Sequence, residues 1–351
     1  LIFSSLIKHI SIVFVGFLIM FFTHLIPYRY FKGLSIIGMP IIIIILIFTS
    51  MQGTIIDGAN ASRWFKLPFI GLSFQPSSIA IVILMVYTSF YLSKNSDKEI
   101  KFKDSILPLW IPSIMIVLLI LPSNLSTALM IFVMTITLIF IGRYPIKYLF
   151  GIFLFGALLL SLFVFTIKTY PDLFPNRVDT WQNRIENYLD SSNDESNYQV
   201  LRAKSAIANG SVFGVGAGKS TMKNLLPQST SDFIYAIITD EYGIVGAASV
   251  LFLYTLLLFR VIIVSYQSLT IFGQLLSLGV GLPIIFQAYI NMGVAVQLIP
   301  VTGQPLPLLS SGGTSIWMTF LAGGIVLSVS VNGKDDLVSS ENPLNVFSED
   351  I

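Results

Sequence analysis

The chain has 351 residues, of which 54% are hydrophobic and only 11% charged, with a formal net charge of +2 and no cysteine; its mean hydropathy is +0.82. A soluble domain carries about 25% charged residues, so this composition excludes one and predicts an all-α polytopic integral membrane protein. The missing cysteines exclude disulfides, thiolate metal sites and thiol catalysis, and the scattered basic residues give no nucleic-acid-binding face. The chain starts almost directly in an apolar run without a basic n-region or small-residue cleavage site, so no cleavable signal is expected.

A hydrocarbon core of roughly 30 Å needs about 20 helical residues. On that ruler nine spans are predicted, near 6 to 26, 34 to 51, 76 to 92, 106 to 121, 125 to 141, 148 to 168, 242 to 264, 270 to 291 and 312 to 331. The apolar run from Ile106 to Ile141 would reach about 54 Å as one helix, and Pro122-Ser-Asn124 breaks it, so it reads as a hairpin of two spans. Lysine and arginine counts set the orientation. Arg29 and Lys32, then Lys94, Lys98, Lys101 and Lys103, then Arg143 and Lys147, then Arg260 mark the cytoplasmic loops, whereas the opposite short loops hold only Arg63 and Lys66. The reading by residues is thus 1–168, six spans; 169–239, a large extracytoplasmic loop; 240–332, three spans with a Pro/Gly segment; and 333–351, a cytoplasmic tail.

A loop of about 70 residues is too long for a plain connector. Within it, Val178, Trp181, Ile185 and Leu189 fall at helical spacing and predict an amphipathic helix over Asn176 to Leu189. Gly214-Val-Gly-Ala-Gly-Lys-Ser220 looks like a phosphate loop, but the Walker spacing needs glycine where Phe213 stands. A nucleotide site is therefore excluded, while glycine-rich backbone beside Lys219 remains a candidate diphosphate cradle.

Asp232 falls where the loop meets the apolar run Phe233-Ile-Tyr-Ala-Ile-Ile238, and two readings stand for it: a general base, favoured by partial desolvation, or an N-cap for the following helix. Asp240 and Glu241 come about two turns later, with packing and functional readings equally open. Arg63-Trp64 reads either as a snorkelling anchor beside an interfacial aromatic or as a ligand for a lipid-linked phosphate. His9 and His24 read as structural, and no metal-ligand spacing appears.

Pro300-Val-Thr-Gly-Gln-Pro-Leu-Pro-Leu-Leu-Ser-Ser-Gly-Gly-Thr-Ser315 places three prolines and three glycines between two apolar runs. It cannot be a regular helix, and irregular backbone at membrane depth must line a protein cavity.

Taken in order, these segments resemble the SEDS family (FtsW/RodA/SpoVE) of bacterial shape, elongation, division and sporulation proteins, closest to its FtsW branch of the Bacteroidetes type. The likeness covers nearly the whole chain. It is carried by Asn60-Ala-Ser-Arg-Trp64, Phe74-Gln-Pro-Ser77, Ser126-Thr-Ala128, Gly214-Val-Gly-Ala-Gly218, Asp232-Phe-Ile-Tyr-Ala236, Glu241-Tyr-Gly243, Asn291-Met-Gly293, Thr302-Gly-Gln-Pro-Leu-Pro307 and Ser310-Ser-Gly-Gly313.

The resemblance implies a peptidoglycan glycosyltransferase of the bacterial cytoplasmic membrane that polymerises lipid II on the extracytoplasmic side during cell division, partnered by a class B penicillin-binding protein and other divisome membrane proteins. It implies Asp232 as the catalytic acid of the loop; Arg63, Lys223, Lys219, Gln304 and Ser310 on the substrate; and Glu241, Trp64 and Asn291 in support. No organic cofactor is expected, and a divalent cation, Mg or Mn, is compatible with the diphosphate chemistry. The chain also departs from the family pattern. The resemblance implies ten spans against the nine read here, so a first span is expected to lie outside this sequence; the usual Gln-Pro-Ser-Glu-Leu-Ala-Lys reads Gln75-Pro-Ser-Ser-Ile-Ala-Ile81, without its two charges; and Leu-Pro-Glu-x-His-Thr-Asp reads Leu226-Pro-Gln-Ser-Thr-Ser-Asp232. Two rival readings, a lipid II flippase and a non-catalytic scaffold that activates the penicillin-binding partner, use the same cavity and spans.

Overall fold

The computed structural model describes residues 2–52, 55–56, 59–60, 64–66, 73–98, 100–169, 198–226, 230–311 and 313–341. Ten helices organise them: α1 (Ile2–Leu25), α2 (Phe31–Gln52), α3 (Pro76–Lys94), α4 (Phe102–Ile120), α5 (Leu125–Ile141), α6 (Ile146–Thr169), α7 (Tyr198–Gly210), α8 (Ile234–Gln267), α9 (Ile271–Ala295) and α10 (Gly313–Glu341). Among the described residues the strands are two antiparallel two-residue pairs, β1 (Ile55–Ile56) with β2 (Ala59–Asn60) and β3 (Phe65–Lys66) with β4 (Ser73–Phe74).

Seven of the helices are long and apolar enough to cross a membrane, and two shorter apolar helices, His9–Leu25 and Leu125–Ile141, complete nine among the described residues. The chain is a multi-pass, all-α membrane protein. Its helices expose apolar side chains outward, as a bilayer requires. Phe150, Phe153, Leu158 and Phe165 line the outer face of α6, and Phe252, Leu253 and Phe259 that of α8.

The hairpin expected at Pro122 is present, and Asn124 caps α5 by accepting from the Thr127 amide at 3.2 Å. Helix α4 carries one π turn at Ile106–Trp110. Pro112 has no amide for the Pro108 carbonyl, and the Tyr87 hydroxyl donates to it instead at 2.6 Å.

Helix α1 lies against α10 through small residues: a Cβ on Gly16 would come 2.3 Å from the Phe320 ring, and one on Gly324 would come 2.7 Å from Thr23 Cβ. Helices α2, α3, α4, α5, α9 and α10 surround the main core, with Leu84, Ile116, Ile131 and Leu276 fully buried. A second core under α7, α8 and α9 holds Phe233, Ala236, Ala288 and Leu306.

Two boundaries differ from the sequence reading. Helix α8 starts at Ile234 rather than near 242, because the helix continues through a kink at Gly243 (φ 68°, ψ −165°). Helix α10 runs on to Glu341, through the first part of the expected tail. The amphipathic helix expected over Asn176 to Leu189 lies outside the described residues.

Candidate functional site

A cavity of about 280 Å³ opens among the N-terminal ends of α3 and α5, the entry to α8, the middle of α9, the Pro/Gly segment and the start of α10. Apart from Asp232, its described polar lining is neutral: Gln75, Ser78, Asn124, Thr127, Gln287 and Thr314 present amides and hydroxyls. Deeper along the same helices the wall turns apolar, with Val82, Met85, Val280 and Ala322. Among the described lining residues Asp232 is the sole ionisable side chain, and it is partly buried. Ser78 and Ile81, where the family pattern has its two charges, both line this cavity, so the carboxylate stands there without them.

The Pro/Gly segment is the far wall, and hydrogen bonds sew it to the residues around Asp232. Asn291, 1% exposed on α9, donates from Nδ2 to the Asp232 carbonyl and to the Gln304 carbonyl, both at 2.8 Å. Ser310 Oγ donates to the Ser231 carbonyl at 2.5 Å and accepts from the Leu306 amide at 2.7 Å. The Ser311 amide and hydroxyl both donate to the Thr230 carbonyl, at 3.0 and 2.9 Å. Gln287 Nε2 holds the Pro305 carbonyl at 2.9 Å, and the Tyr254 hydroxyl donates to the Pro307 carbonyl.

Three prolines reduce the number of amides this irregular backbone must satisfy, and side chains from α8 and α9 take its carbonyls. Leu308 sits in the left-handed region (φ 67°) inside the turn closed by the Ser310 amide on the Leu306 carbonyl. Such a conformation persists only where surrounding contacts over-determine it.

The structure thus sorts the expected site residues. Asp232, Trp64 and Gln304 line one cavity, and Gln304 also donates from Nε2 to Thr127 Oγ1 at 2.6 Å. Asn291 holds the Asp232 carbonyl and Ser310 the Ser231 carbonyl; Ser310 is 2% exposed and lies outside the cavity lining. The N-cap position of α8, weighed for Asp232, falls to the next residue. The N-cap of α8 is Phe233, which makes no side-chain cap bond. Lys219, Lys223 and Glu241 lie outside the cavity lining, and Arg63 lies outside the described residues.

Four amides of the glycine-rich loop are committed within the protein: Gly214 N donates to the Gly210 carbonyl at 2.7 Å, Val215 N to Asp240 at 2.9 Å, Gly216 N to Glu241 at 3.0 Å and Lys219 N to Gly216 at 3.1 Å. The glycines permit contact with the kink of α8. A Cβ on Gly210 would stand 1.9 Å from the Thr239 carbonyl oxygen, and one on Gly214, whose φ is +80°, would stand 2.2 Å from that of Glu241.

The kink completes the exchange. The Ile244 and Val245 amides, lost to the helix at Gly243, donate to the Ser211 and Val212 carbonyls at 3.0 and 3.3 Å. Asp240 locks the loop from below. Fully buried, its carboxylate accepts from Asn209 Nδ2 at 2.8 Å and Ser220 Oγ at 2.5 Å, and Ser220 Oγ in turn accepts from the Lys223 amide at 3.2 Å. This anchoring role was not legible in sequence, where the Asn209, Ser220 and Asp240 spacings match no motif.

The sequence profile of the FtsW/RodA/SpoVE family, described as cell cycle proteins, matches residues 2–335. The chain belongs to that family. Among FtsW/RodA/SpoVE relatives, it is 31% identical over 301 residues to the probable peptidoglycan glycosyltransferase FtsW of Hydrogenovibrio crunogenus, covering 84% of this chain and 73% of the relative. It is 34% identical to the protein of the same description from Enterococcus hirae, over 77% of this chain and 68% of the relative. A chain from a peptidoglycan synthase complex, solved to explain how polymerization and crosslinking are coordinated, superposes with a TM-score of 0.73 at 27% identity, over 93% of this chain and 89% of that one. The crystal structure of the rod shape determining protein RodA from Thermus thermophilus shares the fold, with a TM-score of 0.64 over 93% of this chain and 87% of that one.

Proposed function

We propose that this FtsW/RodA/SpoVE chain is a peptidoglycan glycosyltransferase that polymerises lipid II into glycan strands for cell division. The observation that carries the reading is Asp232, the sole carboxylate among the described lining residues, beside neutral hydroxyl and amide groups and above an apolar floor. Amides and hydroxyls suit the many hydroxyls of a sugar, the apolar floor excludes water, and one carboxylate suffices for a general base. The names carried by the relatives point the same way.

In the reaction, an acceptor sugar hydroxyl attacks the anomeric carbon of the donor. The new glycosidic C–O bond forms as the bond to the diphosphate breaks, Asp232 takes the hydroxyl proton, and undecaprenyl diphosphate leaves with the electron pair. Arg63 and Lys223, with Lys219 contributing less, neutralise the leaving diphosphate, since stabilising charge where it develops is commonly the largest contribution to catalysis. The described cavity lining supplies a single anionic donor, which fits an Mg or Mn ion that arrives on the substrate phosphates rather than a resident one.

The protein sits in the bacterial cytoplasmic membrane with the Asp232 cavity on the extracytoplasmic face, opposite the loops rich in lysine and arginine. A class B penicillin-binding protein crosslinks the strands it makes. The neighbour solved within a peptidoglycan synthase complex supports such a pairing.

The test is to supply purified protein in nanodiscs with labelled lipid II, with and without the penicillin-binding partner, and to resolve the products on a gel. Ladders of glycan strands are expected. Lipid II movement between leaflets of a proteoliposome without any strand would make the chain a flippase, and strands only from the partner would make it a scaffold.

A further inference from the structure

A second cavity, of about 700 Å³, lies at the other end of the same helices that build the Asp232 site. The C-terminal end of α5 and the N-terminal turns of α6 and α9 line it together with the loop after α3, whereas the opposite ends of α3 and α5 and the middle of α9 line the first cavity. Four cations face it: Lys98, Lys101, Arg143 and Lys147, against one anion, Asp97. All four are exposed, and among the described residues none of them carries an ion pair; Glu99 lies outside the described residues. Lys147 Nζ sits 5.0 Å above the Tyr148 ring. The α6 and α9 helices each present an N-terminus here, adding partial positive charge from their first-turn amides.

A site with this charge takes a phosphate. Its rim says which kind, because the exposed apolar residues Ile141 and Ile271, at 38% and 44% exposure, stand beside the cations at the ends of membrane helices. A freely diffusing phosphate has no use for such a rim, whereas the acyl chains of a lipid would cover it. We propose that this cavity holds the phosphodiester headgroup of an anionic membrane lipid, clamped by Lys98, Lys101, Arg143 and Lys147, with its acyl chains against Ile141 and Ile271. Because the cavity shares α3, α5 and α9 with the Asp232 site, a bound lipid braces the helices that shape that site.

The test is native mass spectrometry of the purified full chain with equal phosphatidylglycerol and phosphatidylcholine, which needs no lipid II and so stands or falls apart from the glycosyltransferase reading. Preferential retention of phosphatidylglycerol is expected, weakening as salt rises. Lys101→Gln with Arg143→Gly should weaken it about five-fold for each cation removed. Glycine suits position 143, where the backbone is left-handed (φ 59°), and should keep the fold; if the pair nevertheless fails to fold, Lys98→Gln alone carries the same expectation. Equal retention of the two lipids by wild type would overturn the proposal. So would undiminished preference in a variant that melts like wild type, and so would displacement of phosphatidylglycerol by millimolar inorganic phosphate, which would mark a site for free phosphate instead.

Discussion

Two irregular segments flank Asp232 in sequence, the glycine-rich loop at 210–219 and the Pro/Gly segment at 300–311, and both look like places where exposed backbone would meet a ligand. They do opposite things. The Pro/Gly segment borders the cavity, with Gly303, Gln304 and Pro305 in its lining and the carbonyls of Gln304, Pro305 and Pro307 held by Asn291, Gln287 and Tyr254. The glycine loop lies outside the lining of that cavity and gives its Val215 and Gly216 amides to the carbonyls of Asp240 and Glu241. The difference lies in where the backbone donors go. An anion cradle needs unclaimed amides, and here a kinked helix claims two of the loop's.

The comparison can be broken or sharpened by substitution. The largest expected effect is Gly214→Val, which forces a side chain into the Glu241 carbonyl at a left-handed φ of 80°. It should cost on the order of 4–5 kcal/mol and prevent recovery of folded protein by size-exclusion chromatography. Asn291→Ala comes next, since it frees the Asp232 and Gln304 carbonyls together. We expect a loss of about 1–3 kcal/mol in thermal unfolding, and a fall in kcat greater than any change in KM, because Asp232 would be misplaced rather than removed.

Asp240→Asn retains the shape but replaces two charge-assisted acceptor contacts. Loss of about 1–3 kcal/mol in stability is expected, with turnover of surviving folded protein nearly unchanged because Asp240 does not face the cavity. Gly218→Ala has the smallest effect. Nothing stands within 4 Å of its added Cβ, so the cost is the left-handed φ alone, about 1–2 kcal/mol. A Gly218→Ala protein that melts as expected yet loses strand formation would show that the loop does meet a ligand through its backbone.

The spans were legible because bilayer thickness fixes helix length, and Pro122 with Asn124 marked the hairpin between α4 and α5. The need for a cavity beside Pro300 to Ser315 was legible for a related reason: prolines and glycines at that depth admit few other solutions. Asp232 was legible as a residue but not as a geometry. Whether it capped α8 depended on one residue of register, and the helix took Phe233 instead. The start of α8 was missed because Gly243 looks like a terminus in sequence, whereas loop 211–216 supplies partners for the backbone groups that its kink releases. The roles of Ser310 and Asp240 depend on contacts spanning 79 and 20 residues, which no local pattern encodes.

The most direct test of Asp232 as the general base is the initial rate of glycan strand formation by Asp232→Asn against wild type, in protein shown to melt at the same temperature. A fall of about 10²-fold or more with lipid II binding retained is the predicted result. An Asp232→Asn protein that polymerises at the wild-type rate would contradict the account.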